Sequence, residues 1–257
     1  MNTEKKLSGE VSIIGDKSIS HRSIIFGSLS EGVSKYSNVL ISGDTLATIE
    51  IFRSLGVNIE IVEQNSVIIH GVGLQGLSKS ENALNAKNSG TTARLLTGLL
   101  ARQNFASELV GSTQLTKRPM GRIVNLLKDY GSNIESDNGF LPIRFEAMAS
   151  SFNSINTIVP SAQVKSALII AALYHQEPTV ITEDIPTRDH TERMLTYMGV
   201  GLVRMGGSIT VPPNQTIKPC SYRIPSDISS SAFLIAIGIL SSERIVLKEV
   251  LINERRI

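Results

Sequence analysis

Tryptophan is absent from the 257 residues, aromatic residues make up only 5% of them, and cysteine occurs once, at Cys220. So few rings argue against a surface that stacks nucleic-acid bases. A lone cysteine excludes a disulfide framework and a multi-cysteine zinc site, and Cys220 reads instead as a small buried apolar residue. The four histidines, His21, His70, His175 and His190, never fall at H-x-x-x-H spacing, so no metal centre is expected, and His190 reads as structural. An excess of one charge sign is also missing. The formal net charge is +2, so any basic site must be local and no nucleic-acid partner is expected. Long hydrophobic runs are missing too: A-L-I-I-A-A-L (167–173) and A-F-L-I-A-I-G-I-L (232–240) are too short to span a bilayer. The opening M-N-T-E-K-K-L-S-G-E lacks the apolar stretch of a signal peptide. With 41% hydrophobic residues the chain can build a real core, and a cytoplasmic protein without membrane contact is expected.

What the sequence does contain is a repeat. A small polar cluster followed by an apolar helix begins at Asp16 (D-K-S-I-S-H-R-S-I-I-F) and at Asn88 (N-S-G-T-T-A-R-L-L-T-G-L-L). It returns at Ser161 (S-A-Q-V-K-S-A-L-I-I-A-A-L) and Asp227 (D-I-S-S-S-A-F-L-I-A-I), giving intervals of 72, 73 and 66 residues. A second helix type follows the first three, at 44–57, 118–131 and 188–200. Each of these closes near a glycine suited to a helix C-terminus, Gly56, Gly131 or Gly199. Pro119 suits a first helical turn. Short β-type runs lie between, among them V-N-I-E-I-V, S-V-I-I-H-G-V, F-L-P-I-R-F-E, S-I-N-T-I-V and G-S-I-T-V. The spacing predicts three α/β units of strand, helix, strand, helix, strand, strand, and a fourth that stops within I-N-E-R-R-I. The third and fourth first-type helices are apolar nearly all round and are predicted to be buried between sheets.

The polar helix starts carry the chemistry. Unpaired N–H groups at a helix N-terminus favour an anion by roughly 0.3–1 kcal/mol. Lys17 and Arg22 add charge-assisted donors, and Ser18 and Ser20 neutral ones. The G-x-x-x-x-G-K-[ST] phosphate loop is absent. For any one segment, capping by Asp16 or Ser18 with solvated cations is an alternative. Recurrence at Asn88 to Thr91, at Lys117 and Arg118, and at Ser161 and Gln163 points instead to a ligand with more than one negative group.

The motifs G-D-K-S-I-S-H-R, N-S-G-T-T-A-R, L-T-K-R-P-M, S-A-Q-V-K and R-D-H-T-E, in this order, resemble those of the 5-enolpyruvylshikimate-3-phosphate synthase (3-phosphoshikimate 1-carboxyvinyltransferase) family. Together with the terminal N-E-R-R they are most similar to its class II branch, while Gly90 keeps the small residue of glyphosate-sensitive enzymes. The resemblance implies an enolpyruvyltransferase-like α/β domain of three βαβαββ modules, an inside-out α/β barrel, over residues 16–224. Residues 1–15 and 225–257 would be partial segments of a second domain.

It also implies roles. Lys17 would lie between two ligands and stabilise charge. Ser18 and Arg22 would hold the shikimate ring substituents, and Ser161, Gln163 and Arg188 would bind shikimate 3-phosphate. Gly90 and Arg118 would face phosphoenolpyruvate, with Asn88 shaping that subsite. Ala162 and Thr187 stand where relatives use serine. For Lys165 and Arg94, a site position and a solvent-facing one both stay open, and a surface ion pair of Arg188 with Asp189 or Glu192 is the alternative for that arginine. The implied reaction transfers the enolpyruvyl group of phosphoenolpyruvate to the 5-hydroxyl of shikimate 3-phosphate and releases phosphate. The implied protein is a monomer without cofactor, and the proton-transferring carboxylates fall in the second domain, so this chain is expected to be C-terminally truncated and inactive alone. A UDP-N-acetylglucosamine enolpyruvyltransferase shares the fold but has Lys-Asn where this chain has Lys17-Ser18. A non-catalytic anion-binding module and an RNA-phosphate cyclase relative are the other readings.

Overall fold

The computed structural model describes residues 8–63, 65–147, 160–241 and 244–254, and the backbone of 154–157. The first seven residues of the opening segment, the end of the S-I-N-T-I-V run and the two arginines of N-E-R-R lie outside the described residues.

A short strand β1 (Gly9–Ser12) precedes α1 (Lys17–Ser28), β2 (Glu31–Ser37), α2 (Gly43–Ser54), β3 (Asn58–Val62) and β4 (Ser66–Val72). The second unit runs β5 (Leu84–Asn85), α3 (Gly90–Leu100), β6 (Ser107–Val110), α4 (Gly121–Asp129), β7 (Ile134–Asp137) and β8 (Phe140–Phe145). The third runs β9 (Ser154–Thr157), α5 (Ala162–Ala172), β10 (Thr179–Glu183), α6 (His190–Tyr197), β11 (Val203–Met205) and β12 (Ser208–Val211). After these come β13 (Ser221–Arg223), α7 (Ile228–Ser241) and β14 (Ile245–Lys248).

The three units build the same four-stranded sheet. The order is β5-β6-β8-β7 in the second and β9-β10-β12-β11 in the third, with the first pair parallel and the others antiparallel. In the first unit the order is β13-β2-β4-β3, so β13 takes the place that β5 and β9 hold elsewhere, pairing parallel with β2 at Tyr222 opposite Tyr36. Alternation explains the inner faces: Val67 and Ile69 of β4 are buried, while Ile68 between them is half-buried and His70 beyond them is exposed. β1 and β14 form a separate parallel pair.

The first-type helices begin as their sequences suggest. Asp16 accepts a hydrogen bond from the Ile19 N–H at 3.0 Å, Ser89 from Thr92 at 3.2 Å and Ser161 from Val164 at 3.4 Å. The second-type helices end on left-handed glycines, with φ of 91° at Gly56, 86° at Gly131 and 88° at Gly199. Pro119 falls just before the α4 cap residue Met120 rather than inside the first turn. Among the described residues no helix is long and apolar enough to cross a membrane.

Helices α1, α3 and α5 form the centre, and nearly every residue of α3 and α5 is buried. The expectation of an all-round buried helix holds for α5 and fails for α7. There Ser231 is the one residue buried among the described ones, while Phe233, Ile239 and Leu240 are exposed. The physical reason is the absence of a second layer: α7 packs on β14, and no sheet among the described residues covers its other faces. An apolar helix so exposed should bind a hydrophobic dye. Phe233→Ser with Leu240→Ser is expected to lower dye fluorescence while changing the unfolding free energy by no more than about 0.5 kcal/mol per site. A larger loss in urea unfolding would mean that α7 is packed after all.

Cys220, expected to be buried, is half-buried. It immediately precedes β13, where its thiol points to the Tyr36 hydroxyl at 3.5 Å, and burial raises its pKa.

Candidate anion-binding site

The N-terminal halves of five helices are tied together by side chains. His21 Nδ1 of α1 lies 2.8 Å from the Thr48 hydroxyl of α2, which lies 2.7 Å from the Thr92 hydroxyl of α3. Thr92 also donates to the Asp44 carbonyl at 3.3 Å. From α3, the Thr91 hydroxyl accepts from Gln163 Nε2 of α5 at 3.1 Å. Arg22 closes the ring, donating from Nε to Thr191 of α6 and from Nη2 to Ser166 of α5, both at 2.7 Å. Polar groups so deep in a protein cost free energy unless partnered, so these bonds fix how the helix starts face one another.

On the α1 side, Lys17 heads the helix with its side chain 45% exposed and ion-paired to Asp44. Ser18 is half-buried, and its carbonyl accepts from Arg22 Nη1 at 2.9 Å. Arg22 is buried, with three of its N–H groups committed to protein acceptors. Burial lowers its pKa to about 10, Glu192 and Asp16 oppose this, and the neighbouring Arg188 charge adds to it. It stays a cation at neutral pH. Arg188 is itself half-buried, as is Thr187, whose hydroxyl donates to Glu183 at 2.5 Å.

On the α3 side, Gly90 opens the helix with its bare face towards two guanidinium groups. A Cβ there would lie 2.8 Å from Arg94 Nη1 and 3.6 Å from Arg118 Nη1. Arg94 also donates to Gln163 Oε1 at 3.3 Å and to the Pro119 carbonyl at 3.2 Å. Burial, then the charges of Arg118 and Arg122, lower the Arg94 pKa. Three mutually repelling cations beside a helix N-terminus form a place where an anion is favoured. Asn88 is exposed and accepts from the Ser112 hydroxyl at 3.3 Å.

On the α5 side, the Ser161 hydroxyl caps the helix, and Ala162 and Gln163 are half-buried in its first turn. Gln163 bonds Arg94 and Thr91, both of α3, while Ser166 one turn further along accepts from Arg22, so α5 reaches both cationic groups.

Thus the residues expected from the sequence fall into two groups that α5 connects, through Ser166 to one and Gln163 to the other. One is Lys17, Ser18, Arg22 and Arg188, the other Gly90, Arg94 and Arg118. The surface ion pair weighed for Arg188 does not form. Asp189 pairs with Arg193 and Arg204, Glu192 pairs with Lys165 and Arg204, and both carboxylates are buried. Lys165 is buried rather than solvent-facing. Asp44 lies inside the capping box of Ser42 and Thr45, a local pattern that carries no signal of its ion pair with Lys17. His190 is buried, with Asn253 Nδ2 3.5 Å from its Nδ1.

A repeated α/β unit with cations gathered at its helix starts is the class of protein this fold defines. The family model for EPSP synthase (3-phosphoshikimate 1-carboxyvinyltransferase) matches residues 1–257, and the chain belongs to that family. It is 46% identical over 259 residues to the 3-phosphoshikimate 1-carboxyvinyltransferase of Vesicomyosocius okutanii, spanning 100% of this chain and 59% of that protein. Against the enzyme of the same name from Desulforudis audaxviator the identity is 42% over 253 residues, covering 97% of this chain and 59% of that protein. A solved EPSP synthase from Acinetobacter baumannii superposes with a TM-score of 0.91 at 38% identity, covering 97% of this chain and 57% of that one. The family and the α/β fold class expected from the motifs are borne out. The chain spans a little under three fifths of the length of these relatives.

Proposed function

We propose that this chain belongs to a 3-phosphoshikimate 1-carboxyvinyltransferase, transferring the enolpyruvyl group of phosphoenolpyruvate to the 5-hydroxyl of shikimate 3-phosphate with release of phosphate. On this reading residues 16–224 are a complete three-module substrate-binding domain, and 1–15 and 225–257 are parts of another. The sheet order supports that division, since β13 supplies the strand the first module otherwise lacks. Lys17, Ser18, Arg22, Ser161, Gln163, Thr187 and Arg188 hold shikimate 3-phosphate, while Asn88, Gly90 and Arg118 hold phosphoenolpyruvate. Ala162 leaves one fewer hydroxyl donor at the phosphate. The reading extends to a monomeric cytoplasmic enzyme acting on small molecules.

The observation that carries it is that α5 meets both cation groups, Ser166 accepting from Arg22 and Gln163 bonding Arg94 and Thr91. Two anionic substrates that must react need adjoining subsites, and one helix start in contact with both groups keeps them adjacent. Lys17, at the head of α1, would stand between the two ligands and stabilise charge that develops in the transition state.

Binding to the 257-residue chain tests this directly. Three charge-assisted contacts of roughly 1.5–3 kcal/mol each, offset by the cost of association, put the Kd for shikimate 3-phosphate near the millimolar range. Arg188→Ala is expected to weaken it by about tenfold. Titration followed by NMR, with UDP-N-acetylglucosamine as the competing candidate, reads both. Preference for the nucleotide sugar, or no response to either, would overturn the assignment.

A further inference from the structure

Behind the α5 start lies a charge network, buried at Lys165, Glu183, Asp189 and Glu192, that no substrate contact explains. Lys165 Nζ, with 1% of its side chain exposed, sits 2.8 Å from Glu183 Oε2 at the end of β10 and 2.9 Å from Glu192 Oε1 of α6. Glu192 also meets Arg204 Nη2 at 3.2 Å. Arg204 Nη1 reaches Asp189 Oδ2 at 3.1 Å, and Asp189 Oδ1 accepts from Arg193 Nε at 3.0 Å and Asn253 Nδ2 at 2.9 Å. Three cations, Lys165, Arg193 and Arg204, therefore balance three carboxylates, Glu183, Asp189 and Glu192. Arg188 is outside the set, and among the described residues no carboxylate pairs with it.

The connection between β10 and α6 is held on both sides of Arg188. Before it, the Thr187 hydroxyl donates to Glu183 Oε1 at 2.5 Å, and the Thr187 carbonyl accepts from Lys165 Nζ at 3.3 Å. After it, Asp189 is anchored by Arg204, Arg193 and Asn253. Buried ion pairs add little to stability beyond what apolar residues of the same size would give, so stability alone does not account for this arrangement. It fixes a backbone, and the residue it leaves free is a cation whose charge is felt by Arg22.

We propose that Lys165 is a positioning residue. Through Glu183 and the Thr187 carbonyl it holds the β10–α6 connection so that Arg188 presents its guanidinium, beside Arg22, to the phosphate of the bound ligand. The proposal rests on the reading of this site as the shikimate 3-phosphate subsite.

The test compares shikimate 3-phosphate with shikimate, which lacks the phosphate, by NMR titration of the 257-residue chain. The variants are Lys165→Met, Glu183→Gln, Arg188→Ala and the Lys165→Met/Arg188→Ala double, each checked for folding by its spectrum and thermal midpoint. Both positioning variants should weaken shikimate 3-phosphate about tenfold and shikimate less than about twofold, and the double variant should lose no more than Arg188→Ala alone. General loosening of the fold would weaken both ligands together and would add to the Arg188 loss. If Lys165→Met does not fold, Glu183→Gln carries the comparison, since it keeps the side-chain volume. An unchanged phosphate preference in the folded variants, or an additive double, overturns the proposal alone. A parent chain that does not prefer shikimate 3-phosphate over shikimate ends the reading of the site, and this proposal with it.

Discussion

Gly98→Ala is expected to lower the unfolding free energy by about 2 kcal/mol, although alanine is the better helix former. Gly98 lies in α3 where that helix presses on α5. A Cβ there would stand 2.0 Å from the Ala167 carbonyl oxygen and 2.8 Å from the Ala167 Cα. These are backbone atoms of a buried helix, so no rotamer change relieves the clash and the helices must separate. Overpacking of this kind costs typically about 1–3 kcal/mol, and a backbone collision belongs at the upper end. The helix-propensity gain returns about 1 kcal/mol, which leaves the net loss near 2. Gly43→Ala is the control: at the start of α2 a Cβ meets nothing within 4 Å, so the same substitution should be neutral or stabilising. Urea unfolding of both variants gives the comparison. A Gly98→Ala protein as stable as its parent would mean that α3 and α5 do not pack at this distance.

The same pair of helices shows how much of the molecule can be read from its sequence. α1, α3 and α5 were legible because cap, apolar run and interval all repeat, and three left-handed glycines mark where the second-type helices stop. Strand β13 was not, since three residues, Ser221–Arg223, carry no period and gain their role only from β2, nearly two hundred positions earlier. β5, with two residues, is hidden for the same reason. α7 failed in the other direction: its composition says buried, but burial needs a partner, and composition names none.

In the candidate site, cations at helix starts could be recognised because the local pattern already implies an anion. Which way each points could not. Arg22 spends three donors on the protein interior, and Lys165, read as open to either role, is enclosed by Glu183 and Glu192 from other elements. Those contacts join residues that no sequence window contains together.

The largest effect of pH is expected at His21. Its ring is buried beneath Lys17, with Nδ1 against Thr48 and Nε2 unpartnered. Burial first, then the Lys17 and Arg22 charges, lower its pKa to about 3, and Asp44 only partly opposes them. The folded chain therefore keeps the ring neutral, whereas the unfolded chain takes up a proton below the ordinary value near 6.5. Above that value both states are neutral and His21 contributes no pH dependence. As pH falls through it, only the unfolded state gains the proton, so stability should drop by about 1.4 kcal/mol per pH unit until the folded ring also protonates. Between pH 6 and 4.5 this amounts to about 2 kcal/mol. Asp189, held below the usual carboxylate range by Asn253, Arg193 and Arg204 against the opposing effect of burial, adds its own loss only at lower pH. The pH 4.5–6 window thus isolates the histidine from that carboxylate. His21→Asn keeps a group able to bond Thr48 and cannot titrate, so its stability curve should be flatter than the parent's by one proton per molecule across that window. Parallel curves would show that His21 takes its proton in the folded state, and that the floor of the site is wetter than its packing indicates.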